Sequence, residues 1–204
     1  MDYIKLAKDN EDLCIEMRRE LHKIPELELE LPKTIDYVKS KLDDFGLGYK
    51  EYVNGNGLSV LIEGSEPGKC LAIRADMDAL PVHEETGLEF ASTHPGNMHA
   101  CGHDSHTAIA LTAAKILNEN KDKLKGSVKF IFQPGEEIPG GAKPMIEEGV
   151  LENPKVDFII GMHGGHLAEI PRGSIAFKDN EMMAAMDKFT IEVNGKGGHG
   201  ASPH

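Results

Sequence analysis

Apolar positions recur at helical spacing from Tyr3 to Leu21, where Ile4, Ala7, Leu13, Cys14, Met17 and Leu21 share a face and Ile15 falls off it. The polar pair Asp9-Asn10 is a candidate break, and Pro25 closes the segment. A second helix is predicted from Pro32, where a missing N–H costs nothing, through Ile35, Val38 and Leu42 to a stop at Gly46. The pattern then changes to that of strands. Tyr49 to Val53 and Leu58 to Glu63 flank Asn54-Gly55-Asn56-Gly57, a hairpin signal, and Cys70 to Arg74 is a more continuously apolar run, as a buried strand requires. Helical spacing returns with Ala108, Ile109, Leu111, Ala113, Ile116 and Leu117. A strand follows at Ser127 to Phe132, a helix at Ala142 to Gly149 and a strand at Val156 to Ile160. Ser174 to Phe177 and Lys188 to Val193 alternate and are predicted as short strands.

Strands alternating with helices predict an α/β fold with a mixed, largely parallel central sheet flanked by helices. Polar groups gather just past three of the strands. Cys70 to Arg74 leads to Asp76 and Asp78, Ser127 to Phe132 leads to Glu136 and Glu137, and Val156 to Ile160 leads to His163 and His166. In open α/β sheets the crevice beyond the carboxyl ends of the strands is where ligands bind, so one shared site is the economical reading.

The densest chemistry lies at Met98 to Thr107, which reads Met-His-Ala-Cys-Gly-His-Asp-Ser-His-Thr. Packing does not call for that many imidazoles, because each buried ring needs partners for two nitrogens. A metal supplies such a partner, and thiolate plus imidazole suits zinc and neighbouring divalent ions. The cluster precedes a helix, whose positive N-terminus favours a deprotonated Cys101.

The 34 acidic against 22 basic residues, a net charge of −12, argue against nucleic acid and anionic membrane as partners. No apolar run approaches the roughly 18 residues of a membrane span, and the polar start is unlike a signal peptide, so the chain reads as cytoplasmic. Cys14, Cys70 and Cys101 are odd in number and far apart, which favours reduced thiols. Cys14 and Cys70 read as small core hydrophobes. His22 reads as a capping or packing residue, while His94, His99 and His106 lie close enough to the cluster to compete for metal or substrate. Asp76 is balanced between a loop cap and a site role. A cysteine hydrolase with Cys101 as nucleophile is disfavoured, because a histidine two residues away on a turn is poorly placed as its base.

Five motifs together resemble a known family. They are Arg18-Arg19-Glu20-Leu21-His22-Lys23-Ile24-Pro25-Glu26-Leu27, Arg74-Ala75-Asp76-Met77-Asp78-Ala79-Leu80-Pro81, Met98 to Thr107, Phe132-Gln133-Pro134-Gly135-Glu136-Glu137 and Gly197-Gly198-His199. In this order they resemble the amidohydrolase branch of the di-metal exopeptidase family, which includes hippurate hydrolases, N-acyl-amino-acid amidohydrolases and auxin-conjugate hydrolases. The resemblance implies metal-dependent hydrolysis, by a metal-bridged water, of the amide bond in an N-acyl amino acid or small peptide-like conjugate. It implies two divalent ions (Zn, Mn, Co or Ni), held by Cys101, His103, Glu137 and His163. Glu136 matches the general base, His199 the residue that polarises the scissile carbonyl, often across a homodimer, and Asp78 an aspartate that orients a ligand histidine. His163 stands eight residues before Pro171 and His166 five, on either side of the spacing usual in relatives, so His166 is a rival ligand. The resemblance also implies a metal-binding catalytic domain over 1–182 and, over 183–204, the first strand of an α+β lid. The chain thus reads as an N-terminal fragment that lacks one further ligand histidine, and a weak or inactive metal-binding fragment is the alternative function.

Overall fold

A computed structural model describes residues 2–138, 140–165, 171, 173–181, 185, 187 and 189–202. The chain divides into two units, Met1–Gly165 and His166–His204.

The first unit opens with helices α1 (Tyr3–Asp9) and α2 (Glu11–His22). The break falls at Asn10, whose side-chain amide donates to the Leu6 carbonyl at 2.9 Å, closing one helix where the next begins. Helix α3 (Pro32–Asp44) carries its proline in the first turn. Strands β1 (Tyr49–Tyr52) and β2 (Gly57–Glu63) form the antiparallel hairpin, turning through a single 3-10 turn at Val53–Gly55. Strand β3 (Glu66–Asp76), helix α4 (His103–Glu119) and strand β4 (Lys125–Gln133) form a parallel β-α-β unit, followed by α5 (Ala142–Glu147) and β5 (Phe158–Gly161). The sheet order is β1-β2-β4-β3-β5; β4, β3 and β5 run parallel, while β2 pairs antiparallel to β4.

Alternation along β4 divides the core between the two faces of the sheet. Phe130 and Phe132 pack with Leu58, Val60 and Ile62 of β2 against Met17 and Leu21 of α2, Val38 and Leu42 of α3 and Leu111 of α4. Each such fully buried side chain contributes ~1.5–3 kcal/mol from the apolar area withdrawn from water. Ile131 faces the other way, into a smaller cluster with Tyr52, Ala72, Met145 and Val150. Cys70 is buried, as its core reading required, and Cys14 packs against the larger cluster.

The strand expected at 156–160 is found at 158–161, at the edge of the sheet. Its Phe158, Ile159 and Ile160 are about half exposed, because β3 flanks it on one side only. In the second unit the strands expected at 174–177 and 188–193 are absent among the described residues, with Lys188 outside them. Phe177, Phe189 and Val193 are more than 80% exposed, and the described residues there offer no ladder to pair with and no apolar face to cover, which a lone strand needs. The backbone bridge there joins His199 to Ser202. No helix among the described residues is long and apolar enough to cross a membrane.

Candidate metal centre

Because β3, β4 and β5 are parallel, their carboxyl ends open on one edge of the first unit, and every site residue it contains follows one of those ends or begins α4. Gly102 makes the turn into α4 at φ +88°, a left-handed conformation costly for any residue with a Cβ. His103 follows at once and is fully buried. Its Nδ1–H donates to the main-chain carbonyl of Asp78 at 2.8 Å, which leaves Nε2 as the ring nitrogen aimed into the site.

Asp78 is the organiser of the acidic side. Its fully buried carboxylate accepts the backbone N–H groups of Glu136 at 2.8 Å and Glu137 at 3.0 Å, fixing the loop beyond β4 against the loop beyond β3. Glu136 Oε2 and Glu137 Oε1 each lie 3.7 Å from His103 Nε2. From the end of β5, His163 brings Nε2 to 3.2 Å from Cys101 Sγ, while its Nδ1–H donates to the Gly164 carbonyl at 2.8 Å. Donor atoms of Cys101, His103 and His163 lie within 4.8 Å of one another, as do those of His103, Glu136 and Glu137, so His103 is common to two adjoining groups.

The electrostatics of this pocket favour a cation. Burial and the neighbouring carboxylates of Glu137, Glu136 and Asp76 push the Cys101 thiol up to about 12. Without metal, the half-charge at the first turn of α4 is thus outweighed by desolvation and three nearby acids. Burial alone would lower the His103 pKa, but Asp78, Asp76 and Glu137 raise it on balance. His103 Nε2 and Glu137 Oε1 are both buried without a hydrogen-bond partner. Two orphaned acceptors, a thiol and an imidazole nitrogen at one point are the donor set that divalent transition metals take, and the residues present fit such an ion.

The other candidates differ in place: Asp76 and His106 adjoin His103, whereas His94 does not. His94 is tied to the Pro25 carbonyl at 2.9 Å and to Lys33 Nζ at 2.7 Å, away from the cluster. His106 binds Asp76 Oδ1 at 2.6 Å. Burial would raise the Asp76 pKa, yet the hydrogen bond from His106 and the His103 and Arg74 charges bring it down to about 2. His99 is buried with neither ring nitrogen partnered, and burial lowers its pKa to about 4. His199 belongs to the second unit, where its Nδ1 accepts the Ala201 N–H at 3.3 Å. His166 lies outside the described residues.

One network escaped the sequence. His22 bridges Asp104 Oδ2 at 2.6 Å and Glu84 Oε1 at 3.2 Å, and Arg18 Nε donates to the same Asp104 oxygen at 2.9 Å. The spacing of Arg18 and His22, four residues apart on one helix, was a signal of a shared partner, but neither carboxylate partner is near in sequence.

A family model described as peptidase family M20/M25/M40 matches residues 72–199, and the chain belongs to this family. It is 47% identical over 193 residues to an N-acyl-L-amino acid amidohydrolase of Geobacillus stearothermophilus, covering 93% of this chain and 50% of that protein. It is 45% identical over 212 residues to thermostable carboxypeptidase 1 of Saccharolobus solfataricus, covering 100% and 53% respectively. A crystal structure of the Bacillus subtilis YXEP protein, described as a dinuclear metal binding peptidase from the M20 family, superposes with TM-score 0.73 at 43% identity, over 78% of this chain and 44% of that one. The chain spans about half the length of the curated relatives it matches.

Proposed function

We propose that the first unit is the metal-holding half of a metal-dependent amidohydrolase acting on N-acyl amino acids or small peptide-like conjugates. The observation that carries this reading is the convergence of Cys101, His103, Glu137 and His163, with a buried, unpartnered acceptor on two of them. Cys101, His103, Glu137 and His163 would hold two divalent ions drawn from Zn, Mn, Co and Ni. When bound, such ions acidify water from a pKa of about 15.7 toward about 7 and polarise a carbonyl.

The chain's own residues would do the rest. Glu136 and Glu137 both bring a carboxylate oxygen to 3.7 Å from His103 Nε2, and Glu136 is the more exposed of the two. It borders an open cleft of about 450 Å³ with Arg74, Gln133 and Ile138. That position suits a general base that receives a proton from the attacking water and passes it to the leaving nitrogen. Asp78 keeps both glutamates in register, and the Asp78 carbonyl keeps His103 in the tautomer that presents Nε2. His199 would polarise the scissile carbonyl from a lid beginning near residue 183, in a homodimer of the whole protein. The deacylating and carboxypeptidase names of the relatives support an amide substrate.

The second reading is a metal-binding chain with little turnover. Its support is that the chain spans about half the length of the amidohydrolase and carboxypeptidase relatives it matches. The experiment that tests the proposal compares wild type with Glu136→Gln after loading with Co²⁺ or Mn²⁺, on a panel of N-acetyl and N-benzoyl amino acids. Metal retained with hydrolysis lost in Glu136→Gln supports the assignment. Near-normal turnover by that variant refutes it, and metal binding without turnover in wild type establishes the second reading.

A further inference from the structure

We infer that His106 is a positioning residue: as the Nδ1–H tautomer it links Asp76 to the backbone N–H of Gly164 and so sets the place of His163, without binding metal itself. The inference rests on His163 being a ligand, as proposed above. The rival is a third metal group, since donor atoms of Asp76, His103 and His106 also lie within 4.8 Å of one another and all three residues are buried.

Hydrogen bonding decides between the two. His106 Nε2 lies 2.8 Å from the Gly164 backbone nitrogen, which can only donate, so Nε2 is the acceptor and carries no proton. The proton is then on Nδ1, which donates to Asp76 Oδ1 at 2.6 Å. Both ring nitrogens are engaged, and no lone pair is left for an ion.

The anchor behind His106 is firm. Asp76 is 1% exposed; its second oxygen accepts from Arg74 Nη1 at 2.5 Å and its main-chain carbonyl from Thr107 Oγ1 at 2.9 Å. Arg74 Nε is in turn held by Gln133 Oε1 at 2.9 Å, so the tether reaches back into β3 and β4. The segment it restrains has little else to hold it. β5 is a four-residue edge strand with exposed side chains, and His163 itself is exposed. The bonded amide belongs to the residue immediately after His163, whose ring stands edge-on to His106 with centroids 4.7 Å apart. The tautomer and the ring contact together fix where His163 Nε2 meets Cys101.

Two substitutions separate the halves of the link. Glutamine places an oxygen near the position of Nε2 and keeps the acceptor for Gly164, whereas asparagine keeps a donor near Nδ1 for Asp76 and loses that acceptor. The test measures Co²⁺ affinity through the thiolate-to-cobalt absorption in wild type, His106→Gln, His106→Asn, His163→Ala and the double variant His106→Asn/His163→Ala. Amide exchange at Gly164 is followed in the metal-free chain. The expected result is a ~10–100-fold weaker affinity in His106→Asn with faster Gly164 exchange. His106→Gln should stay near wild type in both readouts, and His106→Asn should change affinity by less than about twofold once His163 is alanine. Equal losses in both His106 variants that add to the loss from His163→Ala would overturn the inference in favour of a ligand role. A silent His106→Asn in a wild type that binds Co²⁺ would overturn it alone, and a wild type that binds no Co²⁺ would overturn the ligand reading and this one together.

Discussion

Replacing Asp78 by asparagine tests how the acidic side of the site is built. The carboxylate is fully buried and accepts two backbone amides, at 2.8 and 3.0 Å. Hydrogen bonds to a charged acceptor contribute ~1.5–3 kcal/mol each. Asparagine preserves the shape and can accept one amide with its oxygen, but its NH₂ group then faces the other amide, donor against donor. One charge-assisted bond is lost and one amide is left unpaired, for an expected cost of about 2–4 kcal/mol. Urea unfolding of the metal-free protein measures the cost, and amide exchange at Glu136 and Glu137 locates it. A loss below about 0.5 kcal/mol with an unchanged denaturant slope would show that Asp78 does not hold the glutamate loop.

Three further outcomes are expected. The hydrogen bond to Asp104 is the largest cause raising the His22 pKa above its ordinary 6.5, so its stabilisation is present below that value and fades as pH rises through the higher folded value. His22→Gln should therefore destabilise the metal-free protein more at about pH 5.5 than at about pH 9, and an equal cost at both would refute the charged pairing. The buried Lys129 ammonium donates to the carbonyls of Val150, Glu152 and Pro154 at 2.7–3.1 Å, so Lys129→Ala should cost about 2–4 kcal/mol in urea unfolding; a neutral effect would mean water replaces it. A Cβ at Gly141 would sit 2.1 Å from the Pro134 carbonyl oxygen and 2.4 Å from that of Gly135, so Gly141→Ala must displace the loop carrying Glu136 and Glu137. It should lower Co²⁺ affinity at least ~10-fold by titration, and unchanged affinity would show that the loop is free to shift.

Local chemistry made much of the first unit legible. The helix break at Asn10, the proline start of α3, the Asn-Gly hairpin and the alternation of β4 each depend on residues within a few positions of one another. The parallel strands then placed Asp78, Glu136, Glu137, Cys101, His103 and His163 together, because chemistry past three strand ends meets only if those ends share an edge. What sequence could not show was set by long-range geometry. Asp78 orients His103 through its main-chain carbonyl, while its side chain serves the glutamates, a division no motif reveals. Cys101 is partly buried among carboxylates from two other loops, and without metal burial and those charges outweigh the adjacent helix end. Arg18, His22, Glu84 and Asp104 meet across more than 60 residues of chain. Phe189, Ile191 and Val193 alternate as a strand would, yet alternation records a capacity for pairing and does not supply the neighbouring strand.

Elemental analysis of protein purified without chelator, for wild type beside Cys101→Ala and Glu137→Ala, tests the central claim most directly. The expected result is about one to two equivalents of a transition metal in wild type, falling in both variants while their circular dichroism stays unchanged. Metal content in the variants equal to that of wild type, or none in wild type after reconstitution, would contradict a metal centre built on Cys101, His103, Glu137 and His163.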